Sequence, residues 1–208
     1  MHVKRDRGLR AALAAALAAG AIGAVASAPA SAFTIEPPGT AFTGSGTEPA
    51  VFTTNNGNGP TVTCTTTSFT GRTSSPATDA VDVTPSYTGC TSNIGGGVRN
   101  ATVTTPGTWT LRVTGGALPA YSGTVRINSG VTITIAGLSC VIDIAPGTTV
   151  AGAGVNDAGS PPAGTFINPR GSTISVPFST SGVCLGVDRT QPAVYDGEVY
   201  ARGVYVAP

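Results

Sequence analysis

Residues 33–208 contain no histidine and no lysine; His2 and Lys4 are the only ones in the chain. That stretch therefore has no Ser-His-Asp or Cys-His relay, no imidazole-held zinc and no Schiff-base amine. Lys–Asn isopeptide cross-links are excluded on the same ground. Carboxylates are what remain for acid–base work. Asp196 and Glu198 stand two apart, on one face if the chain is extended, and Asp188 lies in the loop before them. Two carboxylates across a scissile bond are the equipment of a glycosidase. Nothing in this spacing sets such a separation, and acids near strand ends are ordinarily solvated, so no catalytic residue is assigned. Asp188 and Asp196 are also oxygen ligands of the kind calcium takes, but no Asp-x-Asp-x-Asp loop accompanies them. No metal or cofactor site is assigned.

The aromatics that could stack on a sugar are Trp109, Tyr87, Tyr121, Tyr195, Tyr200 and Tyr205. Trp109 keeps register with Leu111 and Val113, which points it into a core. Tyr200 shares parity with Glu198 and Arg202 and is the better exposed candidate. The ligand-binding candidates are therefore Tyr200, Arg202, Asp196 and Glu198. Asn100-Ala101-Thr102 matches a glycosylation sequon, a short motif that carries little weight. Gln191, the only glutamine, lacks the context of a Thr–Gln ester link.

The second chemistry is sulfur. Cys64, Cys90, Cys140 and Cys184 make an even set with no C-x-x-C spacing, which reads as two disulfides rather than a metal site. Of the three pairings that four cysteines allow, Cys64–Cys90 and Cys140–Cys184 are expected, because strands adjacent in sequence usually neighbour in space.

Disulfides imply export, and the first residues are built for it. Lys4, Arg5, Arg7 and Arg10 precede an alanine- and leucine-rich run over 11–24, and Ala30-Ser31-Ala32 supplies small residues at −3 and −1. This is the layout of a secretory signal peptide spanning residues 1–32, with cleavage after Ala32. The single remaining domain is 33–208. It carries seven arginines and nine acids, a net charge of −2, so the +1 of the whole chain belongs to the signal segment. No basic patch invites nucleic acid or anionic membranes. No second apolar run reaches spanning length, and Val204 to Pro208 carries no sorting motif. A secreted protein is expected, free or held non-covalently at the cell envelope.

The elements that must position these groups are strands. Val131, Ile133 and Ile135 alternate with Thr132 and Thr134. After Ala136-Gly137-Leu138, Cys140, Ile142 and Ile144 oppose Val141 and Asp143. Period-2 alternation broken by glycine predicts a hairpin of half-buried strands. Trp109 to Val113 and Val125 to Ile127 alternate likewise, so four successive strands from Thr108 to Ile144 are expected to form a meander. Its outward face would carry Arg112, Arg126 and Asp143 among threonines as a solvated surface. Further strands are expected at 33–36, 41–47, 51–54, 61–67, 80–84 (ended by Pro85), 100–104, 183–187 and 198–206, the last bulged at Gly203. Asn55-Asn56-Gly57-Asn58-Gly59-Pro60 is turn chemistry. Residues 145–163 are expected to be the longest irregular loop. Gly164 to Ile167 and Ser172 to Phe178 are expected to form a hairpin whose Pro177 marks an edge strand. No stretch of 33–208 shows helical periodicity. The fold class expected is all-β, an antiparallel β-sandwich with two disulfides, a β-barrel being the alternative.

The order of short motifs resembles a group of small, four-cysteine, Thr/Gly-rich secreted β-proteins of actinobacteria. An alanine-rich signal is followed by Phe42 to Thr47 (Phe-x-Gly-x-Gly-Thr) and by Cys64 in a threonine-rich strand. Tyr87 to Cys90 (Tyr-Thr-Gly-Cys) and Trp109 to Leu111 (Trp-Thr-Leu) come next. Cys140, Ser181 to Gly186 (Ser-Gly-x-Cys-x-Gly) and a tyrosine-bearing terminal strand complete the order. The resemblance spans most of 33–208 and implies fold and export; the group has no assigned activity, so it adds no site. The functional expectation is a non-enzymatic extracellular protein for surface association or partner binding, its partner a protein or glycan. A carbohydrate- or small-ligand-binding module is the alternative, and a carboxylate-based glycoside hydrolase a third.

Overall fold

The structure is a computed structural model that describes residues 33–117, 120–157, 164–167 and 174–207. The expected signal peptide, residues 1–32, and the Asn168-Pro169-Arg170-Gly171 turn lie outside the described residues. Strands dominate, as threonine, valine and isoleucine at alternating positions require. The first are β1 (Thr34–Glu36), β2 (Ala41–Gly46), β3 (Ala50–Thr53), β4 (Thr61–Arg72), β5 (Ala80–Ser92) and β6 (Arg99–Thr104). Then follow β7 (Trp109–Ala117), β8 (Ala120–Ile127), β9 (Val131–Ile135), β10 (Val141–Ile144), β11 (Thr148–Asp157) and β12 (Gly164–Ile167). The last are β13 (Ile174–Val176), β14 (Ser179–Ser181), β15 (Ala193–Asp196), β16 (Val199–Arg202) and β17 (Tyr205–Ala207). Thr54–Gly57 is one tight turn in which Asn55 and Asn56 sit in the left-handed region, both at φ 53°.

All strand pairs are antiparallel. Eight strands close a ring of hydrogen-bonded neighbours: β2, β4, β5, β7, β8, β11, β12, β16 and back to β2. Their inward residues lie in register. Val81 faces Leu111, Leu111 faces Val125 and Val125 faces Val150 across successive strands. The two-stranded β1–β17 ribbon packs Ile35 and Val206 against Phe42, Phe69 and Val113 inside the ring. The remaining strands extend the long β4–β5 pair into a curled sheet. On one side run β3, β15 and β13; on the other run β6, β9, β10 and β14. Its two arms pack on each other as in a sandwich: Phe52, Ile174 and Val176 meet Ile133, Ile142 and Ile144 in one cluster. Each such fully buried aliphatic side chain contributes about 1.5–3 kcal/mol. The fold is thus all-β and antiparallel, part barrel and part sandwich.

Both expected disulfides form. Cys64 and Cys90 sit directly opposite on β4 and β5, Cα atoms 3.9 Å apart; Cys140 and Cys184 are 4.8 Å apart and fasten β10 to the loop before β15.

Several local expectations are corrected. The four strands from Thr108 to Ile144 are two hairpins, not one meander. β8 pairs with β7 and β11, whereas β9 pairs with β10 and β6, so the turn at 128–130 carries the chain from ring to curled sheet. Residues 145–163 are not one irregular loop, because β11 occupies Thr148–Asp157; its small residues hid a strand that pairs on both sides. β12 and β13 do not pair with each other. β12 closes the ring between β11 and β16, while β13 is an edge strand beside β15, as expected next to Pro177. Pro85 does not end β5. It lies where β5 has β4 as its only hydrogen-bonded neighbour, since β7 pairs at 80–83 and β6 at 91–92, so its missing N–H costs no ladder bond on the open side. Residues 183–187 form a turn rather than a strand, and the terminal strand divides at Gly203 into β16 and β17.

Candidate functional site

The carboxylate pair is not assembled as an extended strand would assemble it. Asp196 ends β15 opposite Val51 and is exposed; Gly197 and Glu198 lie between strands, where the chain passes from curled sheet to ring. The Glu198 carboxylate accepts a hydrogen bond from the Thr47 hydroxyl. Beyond it, Val199 and Ala201 face inward, and Tyr200 and Arg202 share the outer face of β16, Tyr200 opposite Ser45. Asp188 is occupied by its own loop. One oxygen accepts the backbone N–H and hydroxyl of Thr190 at 2.9 and 2.7 Å, and the other accepts the Gln191 amide at 2.9 Å. The Thr190 hydrogen bonds hold its carboxyl below the usual range. Among the described residues, no three His, Cys, Asp or Glu side chains come together as a metal centre.

The outward face of the ring behaves as a solvated surface. Arg112 pairs with Asp79 at 3.5 Å, both exposed, and Asp82 accepts the Thr110 hydroxyl at 2.5 Å. Exposed pairs of this kind contribute less than about 1 kcal/mol.

Polar groups converge instead inside the fold, where ring and curled sheet join. β4 and β5 run through that junction and reverse their inward face there. Val62 and Cys64 are buried on β4, then Thr65 and Thr66 are both exposed, and burial resumes at Thr67 and Phe69. On β5 the break falls at Thr88 and Gly89. Gly89 takes φ 61°, which a residue with a Cβ enters only under strain. The reversal turns Thr67 and Tyr87 toward an internal cavity of about 90 Å³. Trp109 from β7 and Tyr195 from β15 also line it, among valines, isoleucines, leucine and phenylalanines. A second space of about 50 Å³ shares Tyr87, Trp109 and Tyr195 as walls.

These four side chains hold the polar atoms of the site. The Tyr87 and Tyr195 hydroxyls are 3.4 Å apart, longer than an ordinary O–H···O bond. The Tyr87 ring lies 6.2 Å from Trp109, centroid to centroid. Burial pushes both phenols above their usual range, and each shift is modified by the other hydroxyl. Trp109 Nε1 and Thr67 Oγ1 are buried with no hydrogen-bond partner among the described residues. None of the described residues lining either cavity carries a charge. A buried polar group left unpaired costs about 1–3 kcal/mol; the Trp109 indole N–H and the Thr67 hydroxyl are two such groups.

From the sequence, Tyr87 and Tyr195 stand among the candidate sugar platforms and Trp109 is expected in the core; Thr67 is not singled out. Simple alternation from Val62 and Cys64 would have pointed Thr66 inward. The signal available was Gly89, a residue suited to a local reversal.

Compared with protein-family models, curated proteins and solved structures, the chain matches none.

Proposed function

We propose that the protein is an exported, non-enzymatic binding protein, and that it holds a small apolar molecule inside the fold. The observation that carries this reading is the apolar cavity walled by Tyr87, Trp109 and Tyr195. Apolar cavities with a few convergent polar groups are the usual form of a small-molecule site, and eight-stranded barrels have room for one. Two disulfides are the chemistry of an oxidising compartment and support export. No described helix is long and apolar enough to cross a membrane. Thermal unfolding with a panel of small neutral aromatic and alicyclic compounds tests the reading. At least one should raise Tm saturably in the parent protein and fail to do so in Val125→Phe, which narrows the cavity. Polysaccharide hydrolysis lost in Asp196→Asn or Glu198→Gln would overturn it in favour of a hydrolase.

A second reading, association with an envelope protein or glycan, is favoured by the loops at the end away from the β1–β17 ribbon. Val183 and Leu185 flank Cys184 at 55% and 56% exposure, and Val98 stands at 83%. The loop is held firmly: Asn55 donates to the Gly186 carbonyl at 2.9 Å and accepts the Asp188 N–H at 2.7 Å. Glycan and peptidoglycan arrays discriminate. Retention lost in Val183→Ser/Leu185→Ser would favour this surface, and sugar binding lost in Tyr200→Ala would favour the outer face of β16.

A further inference from the structure

We infer that the cavity stays dry and takes an apolar molecule of about three to four heavy atoms with no hydrogen-bonding group, a short branched or cyclic hydrocarbon being the class that fits. This rests on the small-molecule reading above and goes further by fixing the size and polarity of what the space admits.

Polarity comes first. Thr67 and Trp109 line the space, yet Thr67 Oγ1 and Trp109 Nε1 are closed to water and do not open on it. The Tyr87 and Tyr195 hydroxyls lie 3.4 Å apart and meet each other. Most of the remaining wall is hydrocarbon, from Val83, Val125, Ile127, Ile144 and Val150 among others. A trapped water needs about two to four polar partners, and this wall presents hardly any polar surface to one. A hydroxyl or carbonyl on a ligand would be stranded in the same way, and an ion far more severely. Size comes second. An apolar cavity of about 150 Å³ stays dry and holds benzene, about 25 Å³ per ring carbon. The space here is about 90 Å³. At that packing it has room for roughly three to four heavy atoms and excludes an aromatic ring. The driving force is the apolar surface that such a molecule takes out of water, with no polar group to desolvate on either side.

The test uses the protein with ¹³C-labelled valine, leucine and isoleucine methyl groups. Three probes are titrated: isobutane, isopropanol (the same branched shape with a hydroxyl in place of one methyl) and benzene. Isobutane should shift the methyl signals of Val125, Val150, Ile174 and Val176, which line the space, and saturate. Isopropanol should bind about tenfold or more weakly, because its hydroxyl finds no partner. Benzene should not saturate these signals. In the free protein the same methyls should receive no magnetisation from long-lived internal water. Val125→Phe, which fills the space, should abolish the isobutane shifts at Val150 and Ile174. Should that variant not fold, the three-probe comparison on the parent protein decides alone. Isopropanol binding as tightly as isobutane, saturation by benzene, transfer from internal water, or isobutane shifts that persist in Val125→Phe would each overturn the inference and leave the small-molecule reading standing. Saturation by no probe would overturn both.

Discussion

The Tyr87 and Tyr195 hydroxyls lie 3.4 Å apart among apolar side chains, and their behaviour with pH has a definite sign. Burial raises both phenols above the ordinary value of 10.0. Below pH about 10 both folded and unfolded chains keep these protons, and the stability tied to them is fully present. Above it the unfolded chain ionises first, so stability falls with rising pH until the folded-state values are passed. The slope is at most about 1.4 kcal/mol per pH unit for each phenol. Guanidinium unfolding midpoints should therefore change little between pH 7 and 9 and drop above pH 10, and Tyr195→Phe should shallow the drop. A midpoint indifferent to pH up to 11 would contradict the burial of these hydroxyls.

At the scale of the element, β2 and β4 are matched by a reciprocal pair of phenylalanines and glycines. Phe42 lies opposite Gly71, and Gly44 opposite Phe69. The two rings meet edge to face at 5.9 Å, each occupying the space that a side chain across the strand would need. A Cβ at Gly71 would approach the Phe42 ring to 2.7 Å, and one at Gly44 would collide with the Phe69 ring. Overpacking of this kind costs about 1–3 kcal/mol. Gly44→Ala and Gly71→Ala should each lower the urea midpoint by a corresponding amount. Gly97→Ala, where an added Cβ meets nothing within 4 Å, is the comparison. Phe-Thr-Gly occurs at 42–44 and again at 69–71, so each half of the pair is visible in one dimension. That the halves face each other follows only from the register of β2 on β4.

For the whole molecule, the disulfides bind the two arms of the curled sheet in different ways. Cys64–Cys90 spans 26 residues between strands already hydrogen-bonded at that position; Cys140–Cys184 spans 44 and ties β10 to the loop that Asn55 clamps. Chain-entropy arguments give about 3.5 and 4 kcal/mol respectively before native-state strain. Replacing Cys140 and Cys184 together by alanine should cost about 2–4 kcal/mol in guanidinium unfolding. It should also make residues 182–191 the first site of proteolytic cleavage, since both cysteines are buried in the core on which that loop rests. Loss of stability without local cleavage would mean that the loop is held by its hydrogen bonds alone.

Much of this was legible in residue order, for a physical reason. Side chains alternate across a strand with period 2, so Val131 to Ile135, Cys140 to Ile144 and Val125 to Ile127 announce both strand and buried face without reference to partners. The cysteine count pointed to two disulfides, with the pairing favoured by proximity in sequence among three possibilities, and the missing histidine and lysine removed whole classes of chemistry. Which strands pair was not legible, because pairing joins residues far apart in the chain. β11 was concealed by small residues, and its strand character comes from hydrogen bonds to β8 and β12. Pro85 was taken for an end because nothing local shows that one flank of β5 is open. The cavity is the furthest from sequence. Thr67, Tyr87, Trp109 and Tyr195 come from four strands, and a reversal at Thr65 and Gly89 turns two of them inward. Closure of the ring places Trp109, and the curled sheet brings Tyr195 from β15, so that all four surround one space.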